Sequence, residues 1–202
     1  MDATAKRSDQ PPELVFFGGR VCLDLVDTVG KRGMLDIERL PDAERFGQWL
    51  SEAGLVEHPP RITEEELARV RHLRESLHRL VRAQIEQRRP LEADLETVNR
   101  EAAAPDLVPF LRAAEPECGT VGSATFRAPE LIDAVLSTIA RDAIALLSGP
   151  MAGRVKECEA PDCTIVFLDD SQARRRRWCS MERCGNLAKI ARYRSRGSVD
   201  TP

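Results

Sequence analysis

The chain has 202 residues, of which 42% are hydrophobic and 31% are charged, and its formal net charge is −3. This composition is typical of a soluble globular protein, and no run approaches the roughly 20 apolar residues that a membrane-spanning helix needs. Residues 1–13 are polar and contain no apolar signal segment, so they are predicted to be a disordered lead-in to a cytoplasmic protein.

The hydrophobic pattern predicts a mainly α-helical domain with one small β-hairpin over residues 14–150. Segment 14–29 fits either a short strand or a short helix, and the helix is favoured. Longer helices are predicted at 41–53, 63–88, 91–103 and 129–147, and the second of these has a capping box made by Thr63 and Glu66. The runs 107–112 and 120–127 flank a turn signal and predict the hairpin.

Apolar residues at helical spacing are expected to face the core of this domain. The expected set comprises Phe46, Trp49, Leu50, Leu67, Val70, Leu73, Leu77, Leu80, Val81, Ile85, Leu91, Leu95, Val98, Leu131, Val135, Leu136, Ile139, Ile144 and Leu147.

Four of the six cysteines fall within 27 residues, with the spacing Cys158-x4-Cys163-x15-Cys179-x4-Cys184. Two close pairs joined by a medium loop suit a closed tetrahedral site, in which each pair donates two thiolates. One structural zinc ion is favoured. Metal-free structural cysteines and an iron–sulfur cluster are the alternatives. The site would fold residues 151–197 into a small treble-clef-like or ribbon-like finger, followed by a tail at 198–202.

The finger region is strongly basic within an acidic protein. Residues 171–197 contain nine lysine and arginine residues against one acidic residue, so this stretch carries +8 and the rest of the chain −11. A helix is predicted after Cys184, with Leu187, Ile190 and Ala191 facing inward. Guanidinium groups suit phosphate oxygens and base edges, which predicts contact with double-stranded DNA. The candidate contact residues are Arg174, Arg175, Arg176, Arg177, Lys189, Arg192, Arg194 and Arg196.

The stretch FLDDSQARRRRWCSMERCGN resembles the signature of the CGNR-type zinc finger. The upstream stretch GGRVCLDLVDT at 18–28 is similar to the opening of the ABATE domain that usually precedes this finger, and the resemblance implies bacterial transcription regulation. Two positions depart from the family pattern: Leu187 stands where the family has arginine, and Asp27 stands where it has asparagine. The matching finger residues are Phe167, Asp169, Ser171, Arg176, Arg177, Trp178, Cys179, Ser180, Met181, Cys184, Gly185 and Asn186.

These patterns together favour a DNA-binding transcription regulator whose helical domain senses a small-molecule effector or forms a homodimer. A zinc-stabilised protein-interaction module and a thiol-based redox or metal sensor are the alternatives. No convergent acid, base and nucleophile is evident, so the chain is predicted to have no catalytic residues. Asp24 and Asp27 form a candidate ligand site, with helix capping or core ion pairing as the competing interpretation.

Overall fold

A computed structural model of the protein describes residues 11–110, 125–127 and 131–197, and at 110, 125–127 and 192–197 it describes the backbone alone. Residues 1–10, the tail 198–202 and most of the loop of the predicted hairpin lie outside the described residues. The helices are α1 Val21–Val26, α2 Ala43–Glu52, α3 Glu64–Ile85, α4 Glu92–Ala102, α5 Leu131–Leu147 and α6 Asn186–Gly197. The strands are β1 Val29–Gly30, β2 Ile37–Glu38, β3 Val108–Phe110, β4 Thr125–Arg127, β5 Val155–Glu157 and β6 Val166–Leu168.

The helix starts follow from side-chain capping. The Asp42 carboxylate accepts the Arg45 backbone N–H (2.8 Å) at the start of α2. At α3, Thr63 and Glu66 form the predicted capping box in both directions, at 3.2 and 2.7 Å. Each cap satisfies backbone donors that a helix leaves without an internal partner. The helix predicted at 63–88 ends earlier, at Ile85, because Gln87 takes a left-handed conformation (φ 53°) and breaks the helical path.

Three antiparallel strand pairs accompany the helices. The predicted hairpin is present as β3 paired with β4, and β5 pairs with β6 within the finger. The pair β1–β2 was not predicted. With two residues per strand, it is too short to show an alternating pattern.

Helices α1, α3, α4 and α5 enclose one apolar core, which α2 closes with its aromatic residues. Phe46 and Trp49 are fully buried and stack at 5.9 Å between ring centroids. The stripe predicted on α3 is buried from Leu67 to Val81. Two residues expected inside are not: Leu91 is 60% exposed because it precedes the first turn of α4, and Ile144 is 38% exposed on the outer side of α5.

A second apolar cluster lies in the finger, and the segment before α1 joins the two clusters. Leu14 and Phe16 pack against the core of the helical domain, whereas Val15 and Phe17 pack against the finger. Alternate side chains of this segment therefore face opposite sides, and the helical domain and the finger share it as a seam.

Backbone hydrogen bonds reinforce this seam. The Leu168 N–H donates to the Gly18 carbonyl at 2.8 Å, which attaches β6 to the turn before α1. A Cβ atom at Gly18 would lie 2.6 Å from the Leu23 Cβ atom, so only glycine permits this close approach. The finger is thus fixed against the helical domain by main-chain contacts as well as by apolar packing.

The end of the predicted lead-in is ordered against the helical domain. The carbonyls of Pro12 and Glu13 accept hydrogen bonds, both at 2.9 Å, from Arg45 and Arg39. Two arginine side chains thus hold the backbone of these residues, whereas the rest of the predicted lead-in lies outside the described residues and its disorder stays a prediction. Within the described ranges, no helix is long and apolar enough to cross a membrane.

Candidate metal centre

The four clustered cysteines come from two different local structures. Cys158 and Cys163 lie in the loop between β5 and β6, where the Cys158 N–H donates to the Ile165 carbonyl (2.9 Å) and the Cys163 N–H to the Ala160 carbonyl (3.1 Å). Cys179 precedes a π-helical turn, Met181–Gly185, which contains Cys184 and leads into α6. Of the two predicted architectures, this hairpin followed by a helix fits the treble-clef-like one.

The four sulfur atoms have the arrangement that a tetrahedral ion requires. All four ligand atoms lie within 4.8 Å of one another. The Sγ atoms of Cys163 and Cys179 are 3.8 Å apart, and those of Cys179 and Cys184 are 3.6 Å apart. Zn–S bonds of about 2.3 Å place tetrahedral sulfur atoms about 3.8 Å apart. The site therefore fits one zinc ion with four thiolate ligands, which leaves no open position for catalytic water.

At this separation, the thiols strongly shift one another's pKa values. Hydrogen bonding from Cys179 lowers the pKa of Cys163 to about 5, whereas the same contact raises the pKa of Cys179. Burial raises the pKa of Cys184 to about 11. Without a cation, this cluster cannot hold four thiolates together, since each added negative charge opposes the next. A divalent ion reverses this balance and allows all four to ionise.

A small apolar shell covers the cysteines. Phe167 is fully buried, and Trp178 is half-buried against the same cluster. Gly185 lies beneath Trp178 and Met181, and a Cβ atom there would approach the Met181 Sδ atom to 2.7 Å. Glycine at this position therefore lets the chain turn closely around the site.

Asp169 organises the loop that carries the arginines. Its carboxylate is fully buried and accepts from Lys156 Nζ (2.5 Å), from the backbone N–H of Arg176 (3.0 Å) and from both the hydroxyl and the N–H of Ser171. Although burial opposes the charged form, these donors hold the pKa of Asp169 well below its ordinary value. Lys156 Nζ also donates to the Arg174 carbonyl at 2.9 Å. One buried ion pair thus fixes the arginine loop.

The four consecutive arginines have different surroundings. Arg176 turns inward: its guanidinium lies 4.5 Å from the Phe167 ring centroid and donates to the carbonyls of Trp178 and Cys179. Arg177 pairs with Glu159 at 2.5 Å and covers the Trp178 ring. Both residues have partners within the finger, and their predicted contact with DNA stays a prediction.

Arg174 and Arg175 are exposed, and neither has an ion-pair partner among the side chains that the structure describes. Arg174 has a left-handed backbone (φ 52°), which marks the tip of the arginine loop. Lys189 is exposed on α6. The side chains of Arg192, Arg194 and Arg196 lie outside the described residues, so their predicted contacts stay predictions.

The apolar residues of α6 contradict the predicted orientation. Leu187 is 65% exposed, Ile190 is 48% exposed, and Ala191 is exposed as well. Leu187 and Ala191 line, together with the half-buried Ala188, a depression of about 500 Å³ beside Cys163 and Cys184, so this face is covered only in part.

The candidate ligand residues of the helical domain serve as backbone acceptors. Asp24 accepts the Gly18 N–H at 2.9 Å, and burial raises the pKa of Asp24 to about 6. Asp27 is only 2% exposed and accepts the Val166 N–H of β6 at 3.0 Å. Burial raises the Asp27 pKa well above its ordinary value, and its Oδ2 atom has no hydrogen-bond partner. These contacts favour the structural interpretation, and a ligand site at this pair stays a prediction.

Comparison with known families supplies an independent observation. Residues 19–150 match the ABATE family, described as "Putative stress-induced transcription regulator". The chain belongs to the ABATE family. Residues 154–197 match the CGNR zinc finger, so all four cysteines lie in the second match, and both predicted resemblances are confirmed. A search of curated proteins finds no match to this ABATE protein.

The two departures from the family pattern have different structural settings in this ABATE protein. Leu187 is 65% exposed at the start of α6. Asp27 lies buried at the seam.

Sequence reasoning missed Lys156, whose ammonium joins Asp169 to the arginine loop. No motif surrounds this lysine. Its only signal in the sequence is its place in the strand that leads to Cys158.

Proposed function

We propose that this ABATE protein is a DNA-binding transcription regulator in which the zinc-ordered finger contacts the phosphate backbone with the arginine loop. The observation that carries the proposal is the pair Arg174 and Arg175. Both are exposed at the tip of a loop that a buried ion pair holds in place, and neither is neutralised by a described carboxylate. Exposed guanidinium groups on a fixed loop suit phosphate oxygens.

Several carboxylates of the acidic helical domain are already paired with arginines of that domain. Glu101 pairs with Arg69 at 2.7 Å, and Asp94 pairs with Arg79 at 2.6 Å. Glu38 pairs with Arg74 at 2.7 Å. Docking of the arginine loop onto these three carboxylates would break their pairs, whereas binding to DNA leaves them intact.

Fluorescence anisotropy of a labelled DNA duplex, titrated with zinc-loaded protein at several salt concentrations, tests the proposal. With roughly five phosphates neutralised, log K would fall with log salt at a slope of about −4.5. In the double variant Arg174→Ser/Arg175→Ser the slope would become shallower by about 1.8, since two phosphate contacts are lost.

The matched control is Arg61→Ser/Arg100→Ser, which removes the same charge from exposed positions of the helical domain. This control would leave the slope near that of the unaltered protein. Absence of salt-sensitive binding by the zinc-loaded protein, or equal effects of the two double variants, would contradict the proposal.

A second candidate function is a zinc-stabilised protein-interaction module. The exposed apolar residues Met181, Leu187 and Ile190 beside the metal site favour it, since such a patch is a common feature of protein-docking surfaces. Under this alternative, Leu187→Ser/Ile190→Ser would abolish recovery of a partner in a pull-down. Arg174→Ser/Arg175→Ser would then not affect it, and no stable complex with DNA would form.

The thiol-sensor alternative stays a prediction. Cys163 is the half-exposed member of the cluster and would meet an oxidant first. Release of zinc by low concentrations of peroxide, followed with a zinc-binding dye, would support it. Retention of zinc would argue against it.

A further inference from the structure

A cleft on the helical domain, far along the chain from the metal ligands, has no role in the proposal above. It lies between the C-terminal part of α3, the middle of α4 and the end of α5, and it has a volume of about 320 Å³. Its walls include the buried core residues Leu80, Val98 and Ala143, and the exposed Ile144 also lines it. We refer to it as the apolar cleft. Its volume is at the lower end of the range, about 300–1,000 Å³, of small-molecule sites.

A second depression of about 260 Å³ adjoins the apolar cleft, and we refer to it as the basic pocket. Ala83 and Arg88 line both. The basic pocket also contains Arg79, Arg82 and Arg89. An apolar surface and a set of guanidinium groups therefore meet at Arg88.

The arginines of the basic pocket are only partly neutralised. Asp94 binds Arg79, Glu157 binds Arg82, and Arg82 and Arg88 share the carboxylate of Glu86, each at 2.5 Å. Arg89 has no ion-pair partner among the side chains that the structure describes. Positive charge therefore exceeds negative charge at this junction.

His78 also lines the basic pocket, and its surroundings there lower its pKa. Burial lowers the pKa of His78 to about 4, and the nearby Arg32, Arg82 and Arg79 act in the same direction, against an opposing effect of Glu75. A histidine that resists protonation is consistent with a local excess of cations.

We propose that the apolar cleft and the basic pocket together bind an amphipathic organic anion, with its apolar body in the cleft and its carboxylate at Arg88. A guanidinium offers five donors in a planar fork, and Glu86 occupies only one edge of Arg88 through its Nε atom. The remaining N–H groups can take a carboxylate. An apolar neutral molecule would fill the apolar cleft without an ion pair to Arg88. A small inorganic anion would pair with Arg88 but leave the apolar cleft filled with water.

The proposed site is connected to the finger through ion pairs. Glu86 accepts from both Arg88 and Arg82, and Arg82 also binds Glu157. Glu157 is the last residue of β5 and directly precedes the ligand Cys158. An anion bound to the free N–H groups of Arg88 would weaken the pairing of Arg88 with Glu86. It would thereby alter the pairing of Arg82, and through it the strand that leads into the metal site.

Isothermal titration calorimetry of the full-length, zinc-loaded protein tests the site without DNA. Decanoate is the probe, decanol is the matched neutral probe, and acetate supplies the carboxylate without the apolar body. All three are used below the concentration at which decanoate forms micelles. Decanoate would bind with one site per chain and about tenfold more tightly than decanol, and acetate would give no heat above dilution.

Two variants separate the two parts of the site. Arg88→Gln would weaken decanoate binding about tenfold and leave decanol unchanged, whereas Arg61→Gln, an exposed arginine outside the site, would change neither. Ala83→Leu fills the cleft and would abolish binding of both probes, with folding checked by circular dichroism and zinc content. Because Arg88 is an exposed side chain, its variant remains informative if Ala83→Leu fails to fold.

Three outcomes would overturn the proposal. These are equal affinities for decanoate and decanol, unchanged decanoate binding in Arg88→Gln, and undiminished binding in folded Ala83→Leu. A protein that binds no decanoate and forms a dimer that Ala83→Leu dissociates would assign the apolar cleft to a second copy of the chain instead.

Discussion

The helical domain and the finger are stabilised by different means. Among the described residues, 29 buried apolar side chains form the core that centres on the helical domain, whereas the second cluster has six buried members, three of which are the cysteines themselves. Burial of apolar area is therefore the main source of stability for the first region. The finger adds four metal ligands and a fully hydrogen-bonded carboxylate, Asp169. A region with too few apolar side chains for its own core can still be ordered when metal coordination and a satisfied polar network replace them.

Removal of one cysteine ligand should show the difference in stabilisation between the two regions most clearly. Cys179→Ser takes away the thiol that lies within 3.8 Å of two other sulfur atoms, so we expect the zinc content to fall from one ion per chain to none. The coordination energy at stake is on the order of 10 kcal/mol. Elemental analysis and circular dichroism would show loss of zinc with most helical signal retained. Cys22→Ala, in the core of the helical domain, should keep its zinc, and zinc-loaded Cys179→Ser would contradict the assignment.

Loss of Asp169 should disturb the polar half of the finger. Asp169→Ala leaves Lys156, Ser171 and the Arg176 N–H without their shared acceptor, and loss of an acceptor for partly buried donors costs about 1–3 kcal/mol. The free energy of unfolding of the zinc-loaded protein, from urea denaturation, measures the cost. Asp170→Ala removes an exposed neighbouring carboxylate and should change stability by less than about 0.5 kcal/mol. Equal effects of the two substitutions would mean that Asp169 does not organise the loop.

The seam between the two regions should respond to pH through Asp27. Its pKa is raised in the folded protein, so its contribution to stability is fully present below the unfolded pKa of about 4 and is lost as pH rises through the folded pKa. Asp27→Asn keeps the acceptor for the Val166 N–H without the buried charge. We therefore expect this variant to be about 1 kcal/mol more stable than the unaltered protein at pH 8, and the advantage to shrink towards low pH.

Thermal unfolding of paired samples between pH 5.5 and 8.5 measures that difference. The exposed Asp162→Asn serves as the control and should show a constant offset across the range. If the difference in melting temperature between Asp27→Asn and the unaltered protein does not change with pH, Asp27 stays protonated or reaches water.

The smallest effect is expected on the exposed face of α6. Leu187→Arg restores the arginine that the family has at this position, and since Leu187 is 65% exposed, stability should change by less than about 0.5 kcal/mol. If the finger binds DNA, the salt slope of log K should become steeper by about 0.9. Glu182→Gln on the neighbouring turn, which removes one negative charge without adding a donor fork, should change the slope less. An unchanged slope in Leu187→Arg would place this face away from the phosphates.

The features that local sequence encodes were predictable. The capping box of Thr63 and Glu66, the apolar stripe of α3 and the spacing of the cysteines each follow from side chains within a few residues of one another. Their physical cause is local, so a pattern in the sequence identifies them.

The features that depend on partners distant in the chain were not predictable in the same way. Periodicity placed Ile190 inside, but whether an apolar face is covered depends on the elements that surround it. Arg176 turns inward and places its guanidinium over the Phe167 ring, and this contact depends on the fold of the whole finger. Lys156 became part of the candidate site only through pairing of β5 with β6, which joins it to Asp169.

The seam formed by Val15 and Phe17 also has a consequence for synthesis of the chain. These side chains emerge from the ribosome about 140 residues before the finger that covers them. At typical translation rates this interval lasts roughly 7–30 s. During that time the nascent helical domain carries two uncovered apolar side chains at its edge, so binding of zinc to the finger also completes the surface of the domain made before it.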